Sequence, residues 1–118
     1  MNAFRAVDYV GHIIDAATEA IGFVAGMVKD EFLADARTQK AVEMNLVVIG
    51  EAATKILALH PEFANEHPNV PWRVVRGMRN QIAHGYFSID LDVVWGTVQT
   101  GLPELLKELA AVRGNFQE

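Results

Sequence analysis

"DARTQKAVEMNLVVIGEAATKILALHP", residues 35–61, decides how the chain folds. Val42, Leu46, Ile49, Ala53, Ile56 and Leu57 recur three or four residues apart, which gathers them on one side of an α-helix. Asp35 suits the N-cap, because its carboxylate can accept from the free N–H groups of the first turn. Pro61 stops the helix, since proline has no N–H and disfavours helix in the residue before it. At about 25 residues this helix is on the order of 37 Å long.

Upstream, Phe4, Val7, Val10, Ile14, Ala17, Ile21, Val24 and Val28 keep the same spacing and predict a first amphipathic helix from about residue 3 to 28. Residues 29–34 leave room for an extra short helix or a kink. Downstream, "HPEFANEHPNVP" at 60–71 carries three prolines and reads as the one clear loop. Pro71 suits the first turn of a third helix that buries Trp72, Val75, Met78 and Ile82 and stops at Gly85. Asp90 caps a last helix with Val94, Trp95, Val98, Leu102, Leu105, Leu109 and Val112 on its core side. Pro103 lies inside that pattern and should kink or divide it. No stretch alternates as a strand does. Residues 1–118 read as a single all-α domain, an up-and-down four-helix bundle.

Apolar residues make up 51% of the chain, and with its nine glycines counted the share exceeds the ~45–50% of ordinary soluble domains. A small domain has limited interior, so part of that surplus is expected to close against a second copy, as a homodimer. There is no cysteine, which excludes a disulfide framework and thiolate chemistry. Asp8, Asp15 and Glu19 interrupt the apolar positions of the first helix, which does not suit a signal peptide. No uncharged run approaches the ~20 residues of a membrane span, so a soluble, cytoplasmic protein away from membranes is expected. The net charge of −5 argues against broad nucleic-acid binding, which needs a basic face. A local basic site is a different matter: of ten basic residues, Arg73, Arg76 and Arg79 fall within one short run.

That run continues as "RGMRNQIAHGYFSID", residues 76–90. Arg76, Asn80 and His84 are four apart and line one stripe of an ideal helix. Arg79 and His84 are five apart, about 140° around the axis, so a regular helix keeps them from meeting. Either the helix ends near His84 or the site is assembled from two chains. The residue types suit metal-independent RNA cleavage, in which the 2′-hydroxyl attacks the adjacent phosphorus. A histidine can take or give the protons at neutral pH. Arginine's planar fork matches phosphate oxygens and stabilises the charge that develops on them. A tyrosine such as Tyr86 can stack on a base or donate to phosphate. The plainer alternative is a set of solvated or carboxylate-paired arginines and a helix-capping histidine.

Arg79-Asn-Gln-Ile-Ala-His84-Gly-Tyr86 resembles the Arg-x4-His-x-Tyr signature of HepT-like proteins, prokaryotic members of the HEPN superfamily. "NLVVIGEAATKI" at 45–56, "VPWRVVRGMRNQIAHGYFSID" at 70–90 and the following "VVW" resemble the blocks of that family in order. The resemblance implies an all-helical homodimer acting as a metal-independent ribonuclease toxin, without cofactor. Its antitoxin would be a small nucleotidyltransferase of the MNT type. By the same resemblance Arg79 and His84 form the catalytic pair across the dimer interface, and Asn80 matches the polar neighbour of that arginine. Tyr86 matches the tyrosine that can receive AMP from the antitoxin, adding bulk and negative charge where RNA phosphate must enter. A non-catalytic helical dimer that binds the nucleotidyltransferase, nucleotide or RNA is the alternative function.

Three further groups bear on the site. Glu51 is the one charge in residues 44–54. It either pairs with Lys55 one turn on, or is a partly buried carboxylate that orients Arg76 or Arg79. Arg73 and Arg76 are candidates for RNA-backbone contacts or for pairing with the surplus acids. His60, Glu62, Glu66 and His67 lack metal-ligand spacing, so no metal site is expected. His12 reads as ordinary helix polarity, and Gly22, Gly26 and Gly50 as allowing close helix packing.

Overall fold

The computed structural model describes residues 4–84 and 88–114, the side chains at 81, 83, 84, 113 and 114 excepted. Helices account for nearly all of it: α1 (Ala6–Phe23), α2 (Lys29–Leu33), α3 (Ala36–Leu59), α4 (Pro61–Glu66), α5 (Trp72–His84), α6 (Leu91–Gly96) and α7 (Leu102–Gly114). The protein is all-α, with four long helical arms as the periodicity predicts. Among the described residues no helix is long and apolar enough to cross a membrane.

Helix α3 is the centre. It packs on α1 along one side and on α5 along another, while α1 in turn packs on α7. Its inward positions Val42, Leu46, Ile49, Ala53 and Ile56 are buried, and Leu57 is half-buried. The cap is as expected: Asp35 Oδ1 accepts from the Thr38 N–H at 3.1 Å and Oδ2 from the Thr38 hydroxyl at 2.7 Å. Those two bonds, the hydroxyl's first, hold the Asp35 carboxyl below the usual carboxylate range.

The first helix is shorter than its spacing predicts. α1 stops at Phe23, and the chain turns through Gly26 at a φ of 81°, a conformation that glycine takes without a Cβ clash. Val28 therefore falls outside the helix and is exposed, as is Phe4 at the other end. The extra short helix at 29–34 forms as α2. Glu31 accepts from the Val28 N–H at 2.9 Å to start it, and Phe32 buries its ring against Trp95, 5.3 Å between centroids. Lys29 Nζ reaches Asp92 Oδ1 at 2.8 Å and ties α2 to α6.

The segment 60–71 is not wholly a loop, because Pro61–Glu66 forms α4. Pro61 ends α3 and also opens the next helix, where a missing N–H costs nothing. Ala64 is buried on that turn. Pro71 lies one residue before α5, its carbonyl accepting from the Val75 N–H at 3.0 Å. Trp72, Val75 and Ile82 are buried as expected, whereas Met78 is half-buried. Gly85, the expected stop, lies outside the described residues.

Asp90 caps α6 through the N–H groups of Asp92 and Val93, at 3.0 and 3.3 Å. The last arm is divided as Pro103 predicts: Thr97–Gly101 is a π-helical turn, in which the Leu102 N–H donates to the Thr97 carbonyl five residues back. A proline ring crowds the carbonyl four residues earlier, and a wide turn there relieves that contact. Val94, Val98, Leu102, Leu105, Leu109 and Val112 are all buried, and Trp95 is half-buried.

Candidate functional site

Helix α5 presents two faces. On ideal geometry Arg79 lies within about 60° of Trp72, Val75 and Ile82, so it belongs to the side that packs on α3. Its long side chain can lie there because α3 supplies Gly50 opposite it. A Cβ at Gly50 would collide with the backbone N and Cβ of Arg79. Of the three glycines expected to allow close packing, Gly50 does so; Gly22 faces open space, and Gly26 serves the turn after α1.

From that close seam the Arg79 side chain runs outward beside α3. Its Nε lies 2.9 Å from Glu51 Oε1, and its Nη1 donates to Asn80 Oδ1 at 3.2 Å. Glu51 Oε2 is also 3.9 Å from Lys55 Nζ. Both expected roles of Glu51 are therefore present, with Arg79 rather than Arg76 as the partner, and the Arg79 contact is the closer. The carboxylate is not buried: Glu51 and Arg79 side chains are 45% and 41% exposed. Solvent screens such a pair, so it fixes the direction of the guanidinium more than it stabilises the fold. Among the described residues the guanidinium has no further partner.

The second face of α5 carries positions 73, 76, 80 and 84, within about 80° of one another on an ideal helix. Arg73 and Asn80 are exposed and Arg76 is half-buried. Among the described residues neither Arg73 nor Arg76 forms an ion pair. His84 is the last residue of α5, with its side chain outside the described set, and Tyr86 lies outside the described residues altogether. The structure thus brings Glu51, Arg79 and Asn80 together and sets Arg73 and Arg76 on the neighbouring face.

His60, His67 and His12 have structural partners. His60 Nε2 lies 3.0 Å from the Phe4 carbonyl oxygen, fastening the start of the chain to the end of α3. The His67 ring packs on Phe63 at 4.6 Å, and its carbonyl accepts from Trp72 Nε1 at 3.1 Å. His12 is exposed and sets its ring edge-to-face with Phe4 at 5.2 Å. Sequence reasoning missed a groove of about 360 Å³ between α1 and α3, lined by Phe4, Tyr9, His12, Val48 and Glu51 among others. The signal was Met44 and Val48, apolar residues four apart on the outward side of α3, 62% and 39% exposed.

An arginine set by a carboxylate and an amide at the edge of a helix pair has the chemistry to meet a phosphate. Comparison with known proteins gives the family. Residues 13–112 match the family model described as Ribonuclease HepT-like. The chain is 35% identical over 106 residues to the "Probable ribonuclease HepT" of Thermococcus cleftensis, covering 90% of this chain and 94% of that one. It is 37% identical over 100 residues to a Methanocaldococcus jannaschii protein that carries a provisional RNase name, covering 85% of this chain and 80% of the other. A similarly named protein of Caldanaerobacter subterraneus subsp. tengcongensis is 32% identical over 104 residues, covering 88% and 90%. No solved structure matches. The chain belongs to the HepT-like ribonuclease family.

Proposed function

We propose that the protein is a metal-independent endoribonuclease that acts as a cytoplasmic homodimer, the toxin of a toxin–antitoxin pair. The observation that carries this reading is the Arg79 guanidinium, aimed by Glu51 and Asn80 in a chain of the HepT-like ribonuclease family. Arg79 and His84 are the catalytic pair. His84 takes the proton of the RNA 2′-hydroxyl as its oxygen attacks the adjacent phosphorus. Arg79 stabilises the charge on the non-bridging oxygens of the pentavalent transition state. The bond to the 5′-oxygen then breaks, and that oxygen leaves with a proton supplied by the second copy's histidine. The products are a 2′,3′-cyclic phosphate and a 5′-hydroxyl end.

Two observations support the homodimer. Positions 79 and 84 lie about 140° apart on one helix, so facing copies complete what one chain separates. Phe4 and Val48 are exposed apolar residues that line one groove with Glu51, and Met44 is exposed one turn before Val48 on α3, as a face that closes against another copy requires. Arg73 and Arg76 bind the RNA beside the cut. A nucleotidyltransferase antitoxin neutralises the toxin and adds AMP to Tyr86, placing negative charge in the path of the substrate.

The test is RNA cleavage by the purified protein in EDTA beside Arg79→Ala and His84→Ala, with the fragment ends mapped. The wild type is expected to leave 2′,3′-cyclic phosphate ends, and each variant to fold normally and lose cleavage by about a hundredfold or more. Cleavage retained by both variants, or abolished in the wild type by EDTA, overturns the reading.

A further inference from the structure

At the start of α5, against α4, the surface holds a second cavity of about 340 Å³. Leu57, Pro68, Val70, Pro71 and Trp72 supply its apolar wall, and Asn65 and Arg73 its polar groups. The wall is braced. Trp72 Nε1 donates to the His67 carbonyl at 3.1 Å, Phe63 packs on both His67 and Trp72, and Val70 and Trp72 are 2% and 5% exposed. Two prolines fix the turn between them, so the cavity needs little ordering when something enters it. Asn65 and Arg73 are exposed and, among the described residues, make no side-chain hydrogen bond or ion pair.

The position of this cavity makes it more than a surface hollow. Arg73 is both one of its lining residues and the first member of the outward face of α5. That face continues through Arg76 and Asn80 to position 84, about 16 Å along the axis. A single strand whose backbone follows that face past Arg76 from the cut therefore delivers the base of a nucleotide a few steps away to the cavity mouth. The chemistry there suits a base rather than a phosphate alone. An amide can pair in both directions with a base edge, a guanidinium can fork onto two acceptors, and the apolar wall with its two prolines can take the body of a ring.

We propose that the cavity between α4 and α5 is a base-reading subsite, in which Asn65 and Arg73 select one base of a single-stranded RNA at a fixed distance from the cut. The proposal rests on the ribonuclease reading for its substrate, and adds the origin of sequence preference. Arg73 and Asn65 are specificity residues; Arg76, which does not line the cavity, contributes binding that is indifferent to sequence.

The experiment uses the 118-residue protein and a randomised single-stranded RNA, with cleavage ends mapped by sequencing for wild type, Asn65→Ala, Arg73→Ala and Arg76→Ala. Alongside it, RNAs that bind His84→Ala are selected from the same randomised pool, and His84→Ala is titrated with a fluorescein-labelled RNA of the selected sequence, intact or with one abasic nucleotide at the most strongly selected position. The Asn65→Ala and Arg73→Ala changes are then combined with His84→Ala. The wild type is expected to favour one base at one position by about tenfold, as a good base contact does. Asn65→Ala and Arg73→Ala should flatten that preference, while Arg76→Ala should weaken cleavage of all sequences alike. The abasic RNA should bind His84→Ala about tenfold more weakly, and this difference should vanish in the combined variants. Cleavage with a preference that neither variant alters overturns the subsite and leaves the ribonuclease intact. Absence of cleavage with an abasic penalty that depends on Asn65 and Arg73 removes the nuclease and keeps the subsite. Binding with no abasic penalty overturns the subsite whatever the cleavage result.

Discussion

The two faces of α5 hold arginines on different terms. Arg79 sits over Gly50 on the α3 side, with its guanidinium fixed by Glu51 and Asn80. Arg73 and Arg76 lie on the outward face and have no carboxylate partner among the described residues, in a chain with fifteen acidic residues against ten basic ones. Acids are not scarce, so the difference is one of placement. A charge that must meet a reacting phosphorus gains from being held in one direction before the substrate arrives. A charge that follows a flexible polymer gains from remaining free to adjust.

The most damaging way to break this contrast is at Gly50. In Gly50→Ala the new Cβ meets Arg79 backbone, which no rotamer change relieves, so α5 must move off α3. The expected loss is about 1–3 kcal/mol in urea unfolding. Cleavage should fall by about a hundredfold, since a small displacement of a catalytic group costs that much. A variant that unfolds and cleaves like the wild type would show that the seam does not set Arg79. Glu51 offers a sharper and smaller cut. Glu51→Ala should lower kcat by about tenfold with KM nearly unchanged, and should change stability by less than about 1 kcal/mol because the pair is half-exposed. Glu51→Gln keeps an acceptor for Arg79 Nε and should recover most of kcat; equal rates in all three proteins would leave the ion pair without a role.

The smallest expected effect lies far from the site and serves as its control. Asp35 titrates below its ordinary value of 3.8 because Thr38 donates to it from hydroxyl and backbone. Its contribution to stability is therefore fully present above that value and is lost as pH falls through the lower, folded one. Asp8, held down by Arg5 side-chain and backbone donors, acts with the same sign. Asp35→Asn retains a capping side chain, so its Tm near neutral pH should drop by only a few degrees, and its acid-side loss of Tm should be shallower than that of the wild type. An unchanged acid limb, measured by thermal scans between pH 3 and 6, would remove Asp35 from the linkage. RNA cleavage by this variant should match the wild type.

What the sequence made legible was local. Asp35 and Asp90 cap where their spacing to the following apolar residues says they should, and the core positions of α3 and of the last arm are buried apart from the half-buried Leu57 and Trp95. Pro61 misled because proline stops one helix and opens another by the same missing N–H, and nothing nearby says which will dominate. Val28 misled because the periodic pattern runs on past a glycine whose positive φ appears only in the folded chain. Glu51 stayed ambiguous for a similar reason. Lys55 is visible one turn away, whereas Arg79 is 28 positions distant in sequence and arrives only when α5 docks. The motif around Arg79 could be recognised as a string of residue types and Gly50 as a point of close packing, yet nothing local says that the two meet, since they are 29 positions apart and come together only when α5 docks.

The wide turn at Thr97–Gly101 has a consequence for the phase of the last arm. Val94, Val98 and Leu102 follow one another at intervals of four, a spacing that drifts steadily around an ordinary α-helix and stays in line when the turn is broadened. Before the turn the arm is keyed to α2, through Phe32 with Trp95 and Lys29 with Asp92; after it, the arm is keyed to α1. The extra residue works as a clutch between two gears, letting each half of one arm mesh with a different neighbour without forcing a compromise angle on either.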